Sequence, residues 1–498
     1  MVKRWMAHIL FLLFVTGIEC IPRKFPSDFK FGVGTSAYQI EGAWTEDHKS
    51  ESIWEHYIHS NPKVIADGSN ADVACDSYHK YEEDVEMLKN LGVDHYRFSI
   101  SWPRILPNGT ANHVNQNGVQ YYRNLIKLLK KNKIEPMVTL YHWDLPQVLQ
   151  EQGGFASEKL VKWFTDYARL CFKLFGKDVK TWITFNEPKQ ICLFGYGLGV
   201  FAPALNKSGE LDYLCAYNLL KAHAEAWHIY NNEFRPHQKG RISMVVEFSW
   251  HEPLLPDVPA FEEAAISNLE FMAGIYVNPL YRGDWPEIVK AKVAHNSRKE
   301  GKDRSRLPEF STEEINQIKG TCDFLAVNFY TSFLVYPSVT PQPEMYSARD
   351  AGVSSYQPWY WEEAKSVWLK VTPWGFKRLL KYLKDTYDNP EIIITENGIS
   401  DGGELDDDLR ISYMQQHLNA ILEAIWEYGV NVSGYTVWSL MDSFEWLDGY
   451  QSRFGLYHVD FSDPRRQRTM KASARYYKDI IKNRSLDKTS GYLTCSLE

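Results

Sequence analysis

Two glutamates, Glu187 and Glu396, are the residues of this sequence best suited to do chemistry. Glu187 lies in the segment Thr-Phe-Asn-Glu-Pro (184–188), and Glu396 lies in the segment Ile-Thr-Glu-Asn-Gly (394–398). Each follows a β-branched and aromatic run, which predicts a carboxylate at the C-terminal end of a buried strand. Burying a carboxylate costs free energy, so a buried one is expected to be paired or to have a functional role. Two carboxylates that face each other across a pocket can cleave a glycosidic bond. For either segment alone, a solvated loop acid is the alternative interpretation.

Apolar runs that end in polar or aromatic residues recur along the chain and predict its strands. Continuous rather than alternating runs are typical of strands covered on both faces, as in parallel sheets. The predicted strands are Phe29–Ala37, Val93–Ser101, Pro136–His142, Val179–Asn186, Gly240–Phe248, Asp323–Tyr330, Glu391–Glu396 and Val432–Ser439.

Segments with apolar residues at helical spacing lie between and after these runs. They are Tyr78–Asn90, Gly118–Lys131, Ser157–Phe175, Leu211–Arg235, Thr312–Lys319, Trp374–Tyr387, Asp407–Tyr428 and Ala472–Lys482. Strands that alternate with helices predict an α/β fold, here a single (β/α)8 TIM barrel with elaborated βα loops. A doubly wound open sheet is the alternative, but the first strand is not followed by a Gly-rich phosphate loop.

The active residues of a barrel come from the C-terminal ends of its strands. Amides, a histidine and carboxylates at these positions can bind many hydroxyl groups, and tryptophan rings can cover the C–H face of a sugar. Simpler alternatives are that His142 and Trp143 belong to the core and that Asp442 and Glu445 are solvated loop acids. The residues at or just beyond the predicted ends are Gln39, Arg97, His142, Trp143, Asn186, Glu187, Asn328, Tyr330, Glu396, Trp438, Glu445 and Trp446.

At these residues the chain resembles glycoside hydrolase family 1, the β-glucosidase family, from about Phe25 to Lys482. Several motifs in order carry the resemblance, and together they are far more specific than any one alone. In one-letter code they are FGVGTSAYQIEG (31–42), YRFSISW (96–102), YHWDLP (141–146), NEP (186–188), TENG (395–398) and WSLMDSFEW (438–446).

The resemblance implies Glu187 as acid/base and Glu396 as nucleophile. It places Arg97 beneath Glu396, where a cation favours the ionised carboxylate, and it has Tyr330 hold the nucleophile. Asn186 would bind the sugar 2-hydroxyl. The implied reaction retains configuration through a covalent glycosyl-enzyme, which predicts carboxyl groups about 5 Å apart. It needs no cofactor and no metal.

The family pattern also implies the sugar-binding residues. Glu445 would bridge the 4- and 6-hydroxyls, Trp438 would form the stacking floor, and Trp368 would be the platform for the aglycone, the group that the glycosidic bond joins to the sugar. Ser443 departs from the usual Asn before the Phe-Glu-Trp triplet, which puts hydroxyl recognition in doubt. The aromatic segment 356–361 is expected to pack within a loop. The remaining implied binding residues are Gln39, His142, Trp143, Asn328, Trp446 and Phe454.

The resemblance to the family suggests three functions. The first is a retaining β-glucosidase for small glucosides or oligosaccharides, and the second is a thioglucosidase (myrosinase) that acts on glucosinolates. Plant thioglucosidases replace the acid by Gln, so Glu187 argues against that version but not against an animal one. A sulfated aglycone needs a cation, which Leu193 and Phe333 cannot supply and Lys189 could. The third is a non-catalytic klotho-like binding protein, which the retention of both carboxylates disfavours.

Composition and sorting signals predict the protein's surroundings. The net charge of −8 argues against nucleic acid or an anionic membrane as partner, so the expected partner is a small β-glucoside. Residues 1–20 read as a secretory signal peptide, with residues 21–498 as the secreted, extracellular enzyme. The seven cysteines contain no CxxC zinc pattern; they allow one disulfide without selecting a pair. A homodimer is also allowed. Candidate N-glycosylation sites are Asn108, Asn206, Asn431 and Asn483.

Overall fold

The computed structural model describes residues 24–338 and 346–487. The predicted signal peptide at 1–20 lies outside these residues. No helix in the described ranges is long and apolar enough to cross a membrane.

Parallel strands form a closed barrel. Each strand pairs with its neighbours in chain order, and β8 pairs with β1 to complete the ring. The eight-stranded barrel predicted from the sequence is therefore confirmed, and the open sheet is wrong. Its strands are β1 (Lys30–Gly34), β2 (His95–Ser99), β3 (Glu135–Tyr141), β4 (Thr181–Asn186), β5 (Arg241–Pro253), β6 (Leu325–Pro337), β7 (Ile392–Asn397) and β8 (Val432–Trp438).

Helices connect and surround the strands, as the helical spacing predicted. The ring of Phe376, on the helix Pro373–Thr386, stacks on Phe329 of β6 with centroids 4.4 Å apart. The longer helices are Ile53–Ser60, Ser77–Leu91, Gln116–Lys131, Lys159–Phe175, Leu211–Ile229, Pro259–Leu269, Ile275–Arg282, Glu287–Lys299, Thr312–Ile318, Pro373–Thr386, Asp408–Tyr428 and Ala472–Asn483.

The connection from β5 to β6 differs from expectation. The sequence predicted one helix there, whereas the structure has three more, Pro259–Leu269, Ile275–Arg282 and Glu287–Lys299. Pro279 lies inside the second of these, which argues against a helix there, and the third is rich in charge. Strands β5 and β6 also run on past the barrel, where they pair from Trp250 to Pro253.

A separate apolar cluster occupies the barrel. Neighbouring strands β3 to β7 supply Met137, Ile183, Val245, Ala326 and Ile393, all buried. The catalytic candidates follow these positions toward the C-terminal ends of the same strands, so the cluster forms a floor beneath them.

Two glycines of the matched motifs are required by close approaches. A Cβ on Gly32 would lie 2.2 Å from the His95 ring, which itself bonds Thr436 Oγ1 at 2.8 Å. A Cβ on Gly398 would lie 1.9 Å from the carbonyl oxygen of Trp438. The second approach lets the segment carrying Glu396 lie against the segment carrying Trp438.

Candidate active site

Glu187 stands directly after β4, where the backbone changes direction. Its φ is 50°, in the left-handed region that non-glycine residues rarely adopt, and its amide donates to the Val245 carbonyl at 3.0 Å. A disulfide between Cys192 and Cys215 joins the following helical turn, Gln190–Gly197, to the helix Leu211–Ile229. This covalent link fixes the segment that carries the predicted acid.

Glu396 lies within β7 and is held at both carboxylate oxygens. The Arg97 guanidinium, fully buried, forms an ion pair with Oε1 and donates to the Thr395 carbonyl at 3.1 Å. The Tyr330 hydroxyl donates to Oε2 at 2.7 Å. A cation and a hydroxyl donor both favour an ionised carboxylate, as a nucleophile requires.

Two asparagines connect the glutamates. Asn186 accepts through Oδ1 from Arg97 Nη2 at 2.6 Å, and Asn328 donates to Glu187 Oε1 at 2.7 Å. Asn328 Nδ2 also lies 3.3 Å from Asn186 Oδ1. A continuous polar network therefore runs from Glu396 through Arg97, Asn186 and Asn328 to Glu187.

The carboxyl of Glu187 is held in a setting that favours its proton. Burial raises its pKa well above the usual value of 4.5, and the negative charges of Glu396 and Glu247 raise it further. The hydrogen bond from Asn328 and the charge of Lys189 oppose this effect without reversing it. Such a group can donate a proton at neutral pH.

His142 is positioned as a neutral hydrogen-bond donor. Because Arg97 can only donate, Asn186 presents Oδ1 to it and turns Nδ2 toward His142 Nε2, 3.1 Å away. Burial and then Arg97 hold the pKa of His142 well below its usual range. The remaining proton is therefore on Nδ1, which is buried and meets no acceptor in the described part of the chain. The His142 side chain, with a neutral ring, is one of those that line the cavity.

Aromatic rings and a carboxylate complete a cavity of about 370 Å³ at the C-terminal end of the barrel. Gln39 donates to Glu445 Oε2 at 3.1 Å, and Trp143 donates to the Asn186 carbonyl at 3.0 Å. Burial, followed by Asp448 and Glu396, raises the pKa of Glu445 well above 4.5. The sequence-predicted residues that line the cavity are His142, Trp143, Glu187, Tyr330, Trp368, Glu396, Trp438, Glu445, Trp446 and Phe454.

Four predicted residues lie behind this lining. Arg97, Asn186, Asn328 and Gln39 are fully buried and act on the cavity through their hydrogen bonds to lining residues. The interpretations of His142 as mere core and of Glu445 as a solvated acid are wrong, because both line the cavity. Trp143 belongs both to the hydrophobic core and to the cavity lining. Asp442 is also no solvated acid: it is fully buried, paired with Lys471 Nζ at 3.0 Å.

Sequence reasoning missed Glu247 and Ser249 on β5, which both line the cavity. The available signal was that Glu247 interrupts the apolar run Met-Val-Val-Glu-Phe (244–248) within the strand Arg241–Pro253. The expectation that segment 356–361 packs within a loop is wrong for Trp359 and Tyr360, which are 90% and 67% exposed. Trp361 does pack, with its ring 5.5 Å from that of Trp374.

Among the described residues, no group of three or more His, Cys, Asp or Glu side chains could hold a metal.

Comparison with known proteins agrees with this geometry. The model for glycosyl hydrolase family 1 matches residues 21–486. Myrosinase 1 of Brevicoryne brassicae is 45% identical over 458 residues, which cover 92% of this chain and 98% of that protein. Human cytosolic beta-glucosidase is 44% identical over 466 residues, 93% of this chain and 99% of its own length. The solved structure of aphid myrosinase superimposes with a TM-score of 0.89 at 45% identity, covering 92% of this chain and 99% of that one. The resemblance is therefore confirmed: the chain belongs to glycosyl hydrolase family 1 and is an O-glycosyl hydrolase.

Proposed function

We propose that this protein is a retaining β-glucosidase that removes terminal glucose from small β-glucosides or oligosaccharides. The observation that carries the proposal is the unlike setting of two carboxyls in one cavity. Glu396 faces Arg97 and Tyr330, which favour charge, whereas burial and neighbouring acids raise the pKa of Glu187. A general acid must hold its proton and a nucleophile must be ionised, and these two settings favour those states.

The reaction proceeds in two steps. Glu396 attacks the anomeric carbon and forms a glycosyl ester, while Glu187 gives its proton to the leaving oxygen as the C–O bond breaks. Glu187, now a carboxylate, takes a proton from water, and the water oxygen attacks the same carbon and releases Glu396. Two inversions give net retention.

The sugar side of the cavity suits glucose. His142 lines the cavity with a neutral ring, Glu445 offers carboxyl oxygens oriented by Gln39, and Trp438 presents an aromatic face. Ser443, where the family usually has Asn, is buried and does not line the cavity. Its effect on sugar recognition is therefore indirect, through the loop that carries Glu445.

A thioglucosidase is the second candidate because a myrosinase is as similar to this chain as a β-glucosidase is. The retained acid, Glu187, supports O-glucoside cleavage, since an alkoxide leaves poorly without a proton. Phe333 lines the cavity without bringing a charge, and Leu193 is buried outside the cavity lining. The proposal is tested with aryl glucoside, galactoside and fucoside, cellobiose, salicin and a glucosinolate. The aryl glucoside should give a higher kcat/KM than the glucosinolate, and the reverse order would favour the thioglucosidase.

We also propose that the enzyme is secreted and glycosylated. The disulfide Cys192–Cys215 fits an oxidising compartment, and Asn108, Asn206 and Asn431 are exposed. Expression in insect or mammalian cells should place the protein in the medium, with a mass that falls on treatment with an N-glycosidase. Light scattering of the same material would decide whether it forms a homodimer.

A further inference from the structure

We propose that Glu247 determines aglycone specificity by neutralising Lys189, so that the cavity accepts neutral aglycones and rejects anionic ones. The assignment rests on the proposed function and deepens it by naming the substrate class. It concerns a pair of residues outside the set that the motifs identify.

The two side chains meet at the wall of the cavity. Lys189 follows Glu187 by two positions, Glu247 belongs to β5, and they form an ion pair. Ser249 donates a hydrogen bond to the other carboxylate oxygen, Oε1, at 2.9 Å. The Glu247 side chain is only 8% exposed and that of Lys189 14%. Because both side chains are largely removed from water, each charge needs a partner, and the ion pair supplies it.

The pair lies on the aglycone side. Both charges act on Glu187, the group that must touch the leaving oxygen. Phe333 also lines this cavity, and His251 packs against it with ring centroids 6.2 Å apart. Burial and then Lys189 lower the pKa of His251 to about 3. His251 is therefore neutral and adds no second cation.

The charge balance of the cavity then decides which aglycones fit. Within the described ranges, Lys189 is the one lysine or arginine that lines the cavity, and its charge is opposed there by the carboxylate of Glu247. With Lys189 already paired, an anionic aglycone would lose its water without gaining a counter-ion. A neutral aglycone avoids that cost.

The test compares 4-carboxyphenyl β-glucoside with its neutral analogue 4-carbamoylphenyl β-glucoside, which has nearly the same shape. The measured quantity is the ratio of kcat/KM for the anionic to the neutral substrate. Glu247→Gln keeps a hydrogen-bond acceptor for Ser249 but removes the negative charge that neutralises Lys189. The ratio should then rise about tenfold, the effect expected of one new attraction between Lys189 and the substrate carboxylate. Adding Lys189→Met to Glu247→Gln should return the ratio to the wild-type value.

Two further variants serve as a control and as an independent test of the ion pair. Glu252→Gln, on the same strand, breaks an ion pair with Arg378 away from the cavity lining, and it should leave the ratio unchanged. Lys189→Met alone exposes the Glu247 charge and should lower the ratio, which tests the proposal even if Glu247→Gln misfolds.

The outcomes separate this proposal from the proposed function. A ratio that is unchanged in both Glu247→Gln and Lys189→Met would overturn the role of the pair. If the wild-type enzyme hydrolyses neither glucoside, the proposed function fails. The same ratio can then be measured as the binding affinity, 1/Kd, of the anionic relative to the neutral glucoside in a Glu396→Ala background, where a rise with Glu247→Gln still supports the pair and no change refutes it.

Discussion

The side-chain amide of Asn328 donates a 2.7 Å hydrogen bond to Oε1 of Glu187. Its orientation is fixed from behind, because Thr395 Oγ1 donates to Asn328 Oδ1 at 2.7 Å. A donor favours the ionised carboxylate, so Asn328 lowers the pKa that burial and nearby acids raise. The acid is thus tuned by opposing influences rather than by burial alone.

Replacing Asn328 by Ala should extend activity to higher pH. The protonated form of Glu187 is the active acid, and loss of the donor raises its pKa further. The alkaline limb of kcat/KM for an aryl glucoside should therefore move up by about half a pH unit to one unit, the equivalent of one hydrogen bond. A downward move would contradict the direction assigned to Asn328.

Replacing Glu187 by Gln should separate substrates by leaving group. The first step needs protonation only when the leaving oxygen is basic, so a dinitrophenyl glucoside should keep most of its glycosylation rate. An alkyl glucoside should lose about 100-fold or more, the usual contribution of general acid catalysis. Stopped-flow measurement of the first turnover resolves this step, and equal losses on both substrates would exclude Glu187 as the acid.

Replacing Glu396 by Ala should abolish hydrolysis, and azide should restore turnover of an activated aryl glucoside. Azide enters the space left by the carboxylate and attacks the anomeric carbon from the same side, so the product should be the α-glucosyl azide. Proton NMR identifies the anomer. Formation of the β-azide, or normal hydrolysis without azide, would show that another group is the nucleophile.

Much of this site could be predicted because its residues follow strand ends. Continuous apolar runs predicted the strands to within a few residues, except that β5 and β6 extend past their predicted ends to Pro253 and Pro337. The barrel then placed Glu187 and Glu396 at one end.

The features that the sequence did not predict depend on contacts between segments that are distant in the sequence. In the sequence Glu247 is visible only as an acid within the apolar run 244–248, and its partner Lys189 comes from the segment that follows β4. The pairing of Cys192 with Cys215 depends on how the turn after β4 meets the helix Leu211–Ile229, which local sequence does not encode.

The buried pair of Asp442 and Lys471 gives a prediction about stability rather than catalysis. Both side chains are fully buried and their charged atoms lie 3.0 Å apart. Burial would raise the pKa of Asp442, but His458 Nδ1, 3.3 Å from Oδ2, and the charge of Lys471 outweigh it and lower the pKa below 3.8. The stabilising contribution is therefore present above pH 4 and is lost as the pH falls through the folded-state pKa.

Lys471→Met should destabilise the fold by about 3–5 kcal/mol at pH 7, because it leaves a buried carboxylate short of a partner. Loss of the Lys471 charge raises the folded-state pKa of Asp442, although Arg453 Nη1, 3.5 Å from Oδ2, still opposes the effect of burial. The penalty should consequently shrink as the pH is lowered toward 4. Urea unfolding at pH 7 and pH 4 measures both effects. Lys478→Met, at an exposed position on the same final helix, should change the free energy of unfolding by less than about 0.5 kcal/mol. A penalty for Lys471→Met that stays constant with pH would assign the loss to packing instead of to the charge of Asp442.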